Sequence, residues 1–328
     1  MSFPSALPCP LPLSCLHPAP LVEEGAQPVT ATLLLLHGFT QSASVMREKM
    51  HALARRLKAA GIRLVFANAP YHVPPEFCGD RADARAWWWY HPLDDGVPQG
   101  EEAGIPRFQR AYQGWNASRS YLAALWQSHG PFNAVLGFSQ GAVVCHQLLR
   151  EMEAWGNGGS APGLAPPEVA ASSALLMAPP AAVVMVCGFP ARHGPELPPP
   201  VDGEGRALRP EDAGWLLPVH RAEARVRTPA LVVIGAGDTL VPPQLQRELA
   251  ASLGAATVRE NEHGHALPQR SADCAVVVDF IVKHVAAARA AQAAGPVPPR
   301  AQIGQQCPHP GALQAMLRGM EPELHTNG

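Results

Sequence analysis

Apolar runs recur along the chain, and most are followed by a stretch with apolar positions at helical spacing. The runs predict six strands, at 30–36, 62–67, 132–136, 182–187, 229–235 and 257–261. The helical patterns cover 44–60, 108–129, 140–155, 168–177, 242–253 and 273–294. Continuous apolar strands are typical of a parallel sheet that is covered on both faces. Their alternation with helices predicts an α/β fold with a doubly wound, mostly parallel sheet of about six strands and helices on both faces.

Proline-rich stretches without periodicity flank and interrupt these elements. They predict a poorly ordered leader over 1–28 and a C-terminal tail over 295–328. One folded domain is then expected over 29–294. Its insertions are expected at about 70–107, 156–167 and 190–228. A loop as long as the first of these is usually functional or disordered.

Charge, cysteine content and the longest apolar stretch bear on the possible partners and cellular location of the protein. The net charge of −2 gives no reason to expect nucleic acid or an anionic membrane surface as a partner. The seven cysteines fit neither a zinc-site spacing nor a compact disulfide framework, which predicts reduced thiols and a cytoplasmic protein. The longest apolar stretch, 169–190, is interrupted by Ser172, Ser173 and two prolines. We interpret it as a buried helix and a core strand, without stable membrane insertion.

Candidate chemistry begins at Gly-Phe-Ser-Gln-Gly, residues 137–141, between a predicted strand and a predicted helix. In that context Gly-x-Ser-x-Gly is typical of a nucleophile elbow, a sharp turn that exposes the serine hydroxyl. Gly137 and Gly141 are expected because a side chain at either position would collide with the neighbouring strand or helix. The pattern predicts Ser139 as a catalytic nucleophile.

A serine nucleophile needs a base, and the base needs an acid that sets its tautomer. After a nucleophile elbow the acid comes first and the histidine second, each in a loop after a later strand. Asp238 follows the fifth predicted strand and is predicted to be the acid. Asp273 and Asp279 are weaker alternatives, because both fall in the last predicted helix.

Two histidines follow the sixth predicted strand, and the mechanism needs one. His265 comes after Gly264, which allows a tight turn, so we predict it as the base and keep His263 as the alternative. A metal site built from both histidines, Glu262 and Asp238 would leave the elbow unexplained, and no other Cys or His stands at a regular offset. No metal or organic cofactor is expected.

An oxyanion hole requires two backbone donors. The first is predicted to be the N–H of Gln140, which follows the nucleophile. The second is expected in the loop after the first strand, where Gly38 allows close approach and the N–H of Phe39 is the better-placed donor.

Further motifs accompany the elbow. They are Leu-Leu-His-Gly-Phe at 35–39, Asn-Ala-Pro at 68–70, Arg-Ala-Trp-Trp at 85–88 and Gly-x-Gly-Asp-x-x-Val-Pro at 235–242. Together they resemble the FSH family of serine hydrolases, in the α/β-hydrolase superfamily, over about 29–285. The resemblance implies an α/β-hydrolase fold, a triad at Ser139, Asp238 and His265, and hydrolysis of carboxylic esters, with some members preferring long acyl chains. The acyl-protein thioesterases and carboxylesterases share Gly-Phe-Ser-Gln-Gly and are the second similar family.

The three consecutive tryptophans at 87–89 cannot all face one way, so at least one is expected in the core. The others could line an apolar acyl pocket. With Phe189 and Val241, which also lie in motifs of the resemblance, Trp87 and Trp88 are the predicted residues of the substrate pocket.

The sequence therefore predicts a serine esterase that hydrolyses a small-molecule or lipid-like acyl ester, or a thioester, through an acyl-enzyme. Two alternatives stay open. One is a non-catalytic binding protein on a hydrolase scaffold, and the other is acyl transfer to an acceptor other than water.

Overall fold

The computed structural model describes residues 18–91, 111–156, 178–191, 226–254 and 256–294. The predicted helix 168–177, the tail 295–328, and residues 92–107, 157–167 and 192–225 of the predicted insertions lie outside the described residues. The chain divides into two units, Met1–Ala288 and Arg289–Gly328, and of the second only residues 289–294 are described.

A seven-stranded sheet forms the centre of the fold. Its strands are β1 (Leu21–Glu23), β2 (Ala31–Leu36), β3 (Ile62–Ala67), β8 (Ala134–Phe138), β9 (Ala182–Val186), β10 (Ala230–Gly235) and β11 (Ala256–Asn261). Their order across the sheet is β1-β3-β2-β8-β9-β10-β11. The other six strands of this sheet pair in parallel with one another, whereas β1 pairs antiparallel with β3. The predicted α/β architecture is confirmed.

Helices connect these strands. They are α1 (Ala43–Lys49), α2 (His51–Ala59), α3 (Pro75–Cys78), α4 (Trp115–His129), α5 (Gln140–Gly156), α6 (Pro243–Ala251) and α7 (Ser271–Ala293). The single helix predicted over 44–60 is two helices that meet at Met50, a fully buried residue with φ −111° and ψ 19°. None of the described helices is long and apolar enough to cross a bilayer.

The core lies on both faces of the sheet, because successive side chains of a strand point to opposite faces. On β2, Leu34 and Leu36 pack on one face and Leu33 and Leu35 on the other, and all four are fully buried. Each such side chain stabilises the fold by about 1.5–3 kcal/mol relative to exposure. The edge strand β11 is the exception among the six predicted strands, since nearly all of its residues are exposed.

Three predictions need correction. The leader was expected to lack structure, but its residues 21–23 form the edge strand β1, whose backbone pairs with Leu64, Val65 and Phe66 of β3. The predicted loop 70–107 contains three short strands, β4 (Tyr71–His72), β5 (Arg85–Ala86) and β6 (Trp89–His91). β4 pairs antiparallel with β5, and β6 pairs antiparallel with β7 (Ala111–Gln113), which lies at the start of the predicted helix 108–129. The helix predicted from residue 108 accordingly begins only at Trp115, after the left-handed Gly114.

A buried histidine joins α5 to the elements after β9 and β10. The N–H of Ala191 donates to His146 Nδ1 at 2.9 Å, so Nε2 carries the proton and faces Ser252 Oγ at 3.3 Å. Burial lowers the pKa of His146 to about 3, and the nearby charge of Arg150 acts in the same direction. The folded protein therefore holds this ring neutral.

Protonation of His146 in the unfolded chain should make the fold acid-sensitive. Below the unfolded-state pKa of about 6.5 the unfolded chain binds a proton that the folded chain excludes, so stability falls as pH falls toward the folded-state pKa. His146→Gln should reduce the slope of unfolding free energy against pH by up to about 1.4 kcal/mol per pH unit. Urea unfolding at pH 7, 6 and 5 measures it. An unchanged slope would show that the folded protein accepts this proton.

Candidate active site

Ser139 lies at the turn between β8 and α5, with a left-handed φ of 54°. Its N–H donates to Val186 O at 2.9 Å, which fixes the turn against the neighbouring strand β9. Added Cβ atoms would lie 2.2 Å from the Gly141 carbonyl oxygen at Gly137, and 2.0 Å from the Leu36 carbonyl oxygen at Gly141. The steric reason predicted for both glycines is confirmed, and a non-glycine residue in this conformation is strained.

The loop after β2 approaches the elbow from the adjacent strand. A Cβ at Gly38 would lie 3.1 Å from Ser139 Cβ, so only a glycine fits without displacement. Within this loop the N–H of Gly38 donates to Gln41 Oε1, and the N–H of Thr40 donates to Arg85 O. The Phe39 N–H stays the predicted second oxyanion donor.

Gln140 begins α5 and is 1% exposed. Its N–H donates to no acceptor among the described residues, as expected for the first residue of a helix. This donor and the positive end of the helix dipole both lie directly after Ser139, where negative charge on an acyl oxygen would be stabilised.

Asp238 lies after β10, and its side chain is 0% exposed. One carboxylate oxygen accepts from the N–H groups of Leu240 and Val241, both at 2.9 Å. The other accepts from His265 Nδ1 at 2.7 Å and from Gln246 Nε2 at 3.0 Å. Four donors thus satisfy the buried carboxylate.

The Asp238 carboxylate is stabilised in its charged form. Burial acts to raise its pKa, but the hydrogen bonds from His265 and from the N–H groups of Val241 and Leu240 favour the charged form, and the pKa lies below its ordinary value. A carboxylate can only accept, so Nδ1 of His265 carries the proton and Nε2 is left to accept one.

His265 contacts both Asp238 and the elbow. Its ring packs against Phe138, the residue before Ser139, with centroids 4.9 Å apart, and its side chain is 15% exposed. A Ser139–His265 hydrogen bond is not among those of the described residues. Such bonds are often long without substrate and tighten in the substrate complex.

The alternative residues point elsewhere. His263 Nε2 lies 3.6 Å from Asp273 Oδ2, and Arg259 donates to Asp273 Oδ1 at 3.0 Å. Asp273 therefore anchors the β11–α7 connection, while Asp238 is the carboxylate that reaches His265. In the described residues no cluster unites His263 and Glu262 with Asp238.

The four predicted pocket residues are buried in the main core. Trp87 and Trp88 are 0% exposed, and Phe189 and Val241 are 2% exposed. The indole N–H of Trp87 donates to His37 O at 2.8 Å, and the Trp88 ring meets that of Trp115 edge to face. These placements give both tryptophans a structural role, and their contact with an acyl chain stays a prediction.

Sequence reasoning missed Gln246, which supports Asp238. Gln246 is 0% exposed and lies on the buried face of α6 with Leu249 and Ala250, at the positions i, i+3 and i+4. Its Oε1 accepts from the Gly235 N–H, and its Nε2 donates to Asp238 and to Val241 O. A glutamine on the apolar face of a predicted amphipathic helix was the available signal.

Cys187 was also missed as part of this region. It directly follows β9, has a left-handed φ of 50°, and is 1% exposed. Its Sγ lies 3.9 Å from Gly264 O and 3.7 Å from Ala266 O, the two carbonyl groups that flank His265. Burial first, and then the negative charge of Asp238, raise the pKa of Cys187 to about 12.

The side chain of Gln140 joins the elbow to the tryptophan segment. Its Oε1 accepts from the Trp87 N–H and its Nε2 donates to Trp88 O, both at 3.0 Å. Trp87 in turn holds the carbonyl group of His37, at the start of the predicted oxyanion loop. One carboxamide therefore links the two halves of the predicted oxyanion hole.

Breaking this link should impair turnover more than substrate binding. Gln140→Glu loses the donor to Trp88 O, and Gln140→Met also loses the acceptor for the Trp87 N–H, so the backbone donors should shift. In both variants kcat should fall about tenfold to a hundredfold with little change in KM. Steady-state ester hydrolysis measures both constants.

Gln147→Met is the matched control, because Gln147 is another buried glutamine of α5 whose Nε2 instead donates to Glu151 Oε1. This control should lower the melting temperature without lowering kcat. Full kcat in Gln140→Met would contradict the proposed link.

Comparison with known proteins finds one matching family model and several related proteins. A family model described as "Serine hydrolase (FSH1)" matches residues 27–276. An esterase of Danio rerio, named OVCA2, is 25% identical over 268 residues, which cover 77% of this chain and 97% of that protein. Esterase CG5412 of Drosophila melanogaster is 24% identical over 257 residues, covering 76% of this chain and 72% of that protein.

Two of the similar solved structures illustrate the low sequence identity. Esterase PE8 is 18% identical, with a TM-score of 0.47, over 81% of this chain and 98% of that one. Acyl-protein thioesterase 2 of Zea mays is 16% identical, with a TM-score of 0.48, over 82% of this chain and 100% of that one.

Proposed function

The chain belongs to the FSH1 serine hydrolase family, and from this premise we propose that it is a serine esterase with Ser139 as nucleophile, His265 as base and Asp238 as acid. The observation that carries the proposal is the 2.7 Å hydrogen bond between His265 and a buried Asp238, on a ring that packs against the elbow. That arrangement supplies the base that a serine hydroxyl requires.

In the first step Ser139 Oγ attacks the ester carbonyl carbon, and its proton passes to His265 Nε2. Asp238 accepts a hydrogen bond from Nδ1–H of His265. This bond keeps Nε2 free to take the proton and stabilises the imidazolium that forms. The N–H groups of Gln140 and Phe39 bind the oxygen of the tetrahedral intermediate.

Collapse of the intermediate releases the alcohol, which takes the proton from His265 Nε2, and leaves an acyl-enzyme on Ser139. Water then attacks the acyl carbon and gives a proton to the same nitrogen. Ser139 leaves with that proton, so the enzyme is regenerated and a carboxylic acid is released. Apart from the substrate and this water, the steps use only groups of the chain.

The substrate we propose is a small-molecule or lipid-like acyl ester. The names of the related esterases support ester chemistry. A thioester would follow the same steps, and a series of p-nitrophenyl and thioester substrates of rising chain length separates the two bonds and ranks the acyl groups. We also propose a cytoplasmic location, supported by four free thiols among the described residues, at Cys78, Cys145, Cys187 and Cys274.

Replacing the proposed nucleophile tests the enzyme class. Ser139→Ala should lose labelling by a fluorophosphonate probe and lower kcat for p-nitrophenyl ester hydrolysis by at least about 10⁴-fold, because no acyl-enzyme can form. Circular dichroism should show an unchanged fold. Ester turnover at the wild-type rate would exclude the mechanism, and an unlabelled wild-type protein would favour the non-catalytic binding protein.

A matched pair of histidine variants tests the choice of base. His265→Gln should lower kcat by at least about 10³-fold, because Ser139 loses its proton acceptor. His263→Gln removes a ring that lies beside Asp273 instead, so its kcat should stay within about threefold of wild type. The reverse order of effects would assign the base to His263.

A further inference from the structure

The side chains of Cys187, Asp238 and His265 form a cluster of three possible metal ligands. Cys187 Sγ, a carboxylate oxygen of Asp238 and a ring nitrogen of His265 all lie within 4.8 Å of one another. Two belong to the proposed catalytic residues, whereas Cys187 has no part in the proposed ester hydrolysis. The function of the thiol is therefore open.

We propose that Cys187, Asp238 and His265 form an inhibitory binding site for a thiophilic divalent cation, with Zn²⁺ as the best fit. Thiolate, imidazole and carboxylate are the ligand types that zinc takes in proteins. The binding site rests on geometry alone, and only its inhibitory effect rests on the proposed function.

The distances suit a zinc ion after small side-chain movements. In a tetrahedral site with bonds of about 2.0–2.3 Å, neighbouring ligand atoms lie about 3.3–3.7 Å apart. His265 Nδ1 and Asp238 Oδ2 are 2.7 Å apart, so these two atoms must separate slightly. The three ligand atoms lie within 4.8 Å of one another, so the longest distance among them must shorten by about 1 Å.

The charges also balance. A divalent cation in a buried site needs compensating negative charge, because an unpaired buried charge is costly. One thiolate and one carboxylate give a total charge of zero with Zn²⁺ and a neutral imidazole. Cys187 is 1% exposed and the Asp238 side chain 0% exposed, so this balance is required here.

Binding would remove the base. The cation replaces the proton between His265 Nδ1 and Asp238 Oδ2, and that proton moves to Nε2, so the ring stays neutral. The Cys187 thiol releases its proton to solvent as the sulfur–metal bond forms. With Nε2 protonated, His265 cannot accept the proton of Ser139, and hydrolysis stops without any change to the nucleophile. A chelator restores the starting state.

Inhibition by buffered free Zn²⁺ provides the first test. Wild-type ester hydrolysis should fall with rising Zn²⁺ and recover on addition of EDTA. The inhibition constant of Cys187→Ala, taken relative to its own activity without metal, should rise at least about tenfold. Cys145→Ala is the matched control, because Cys145 is an equally buried thiol in α5 outside the three-residue cluster, and its inhibition constant should match wild type.

Cobalt binding tests the site without any catalysis. Co²⁺ added to Ser139→Ala should give a thiolate-to-metal charge-transfer band, and the band should be absent in Ser139→Ala/Cys187→Ala. Failure of Ser139→Ala to lose activity would reject the proposed nucleophile but not this site. Absence of the charge-transfer band, or equal Zn²⁺ inhibition of wild type and Cys187→Ala, would overturn the site itself.

Discussion

Lack of space at the elbow is the constraint on which the candidate site depends. A methyl group at Gly141 would lie 2.0 Å from the Leu36 carbonyl oxygen, and one at Gly38 would lie 3.1 Å from Ser139 Cβ. Because β2 and β8 are neighbours, with Leu36 opposite Gly137, the loops that end them meet at one point. Close packing there holds Ser139 in its strained conformation and brings the predicted oxyanion loop beside it.

Two buried glutamine side chains near the elbow satisfy neighbouring polar groups by donating and accepting hydrogen bonds. Gln140 pairs with the backbone of Trp87 and Trp88, and Gln246 supports Asp238 while accepting from the Gly235 N–H. Each of these amides donates and accepts at once, which neither a carboxylate nor an apolar side chain can do. The catalytic chemistry that we propose therefore depends on amide side chains that hold Asp238 and the backbone beside the elbow in place.

The predicted elements agree best where the sequence carries strong local signals. The strand 62–67 has the predicted bounds, and Gly137 and Gly141 serve the predicted steric purpose. Agreement is weaker where partners are remote in sequence. The edge strand β1 gains its structure by pairing with β3. Trp87 and Trp88 are held in the core by contacts with His37, Gln140 and Trp115, which belong to three other segments. Local periodicity contains no information on such pairings.

By itself the sequence determined the alternation of strands and helices, the elbow, and the order in which Ser139, Asp238 and His265 follow one another, because backbone sterics and hydrophobic periodicity act locally. Only the tertiary structure decided which histidine faces which carboxylate: His265 meets Asp238, and His263 meets Asp273. It also decided that Cys187 lies beside the first pair. Those contacts join residues from separate strands, and their distances are set by the packing of the sheet.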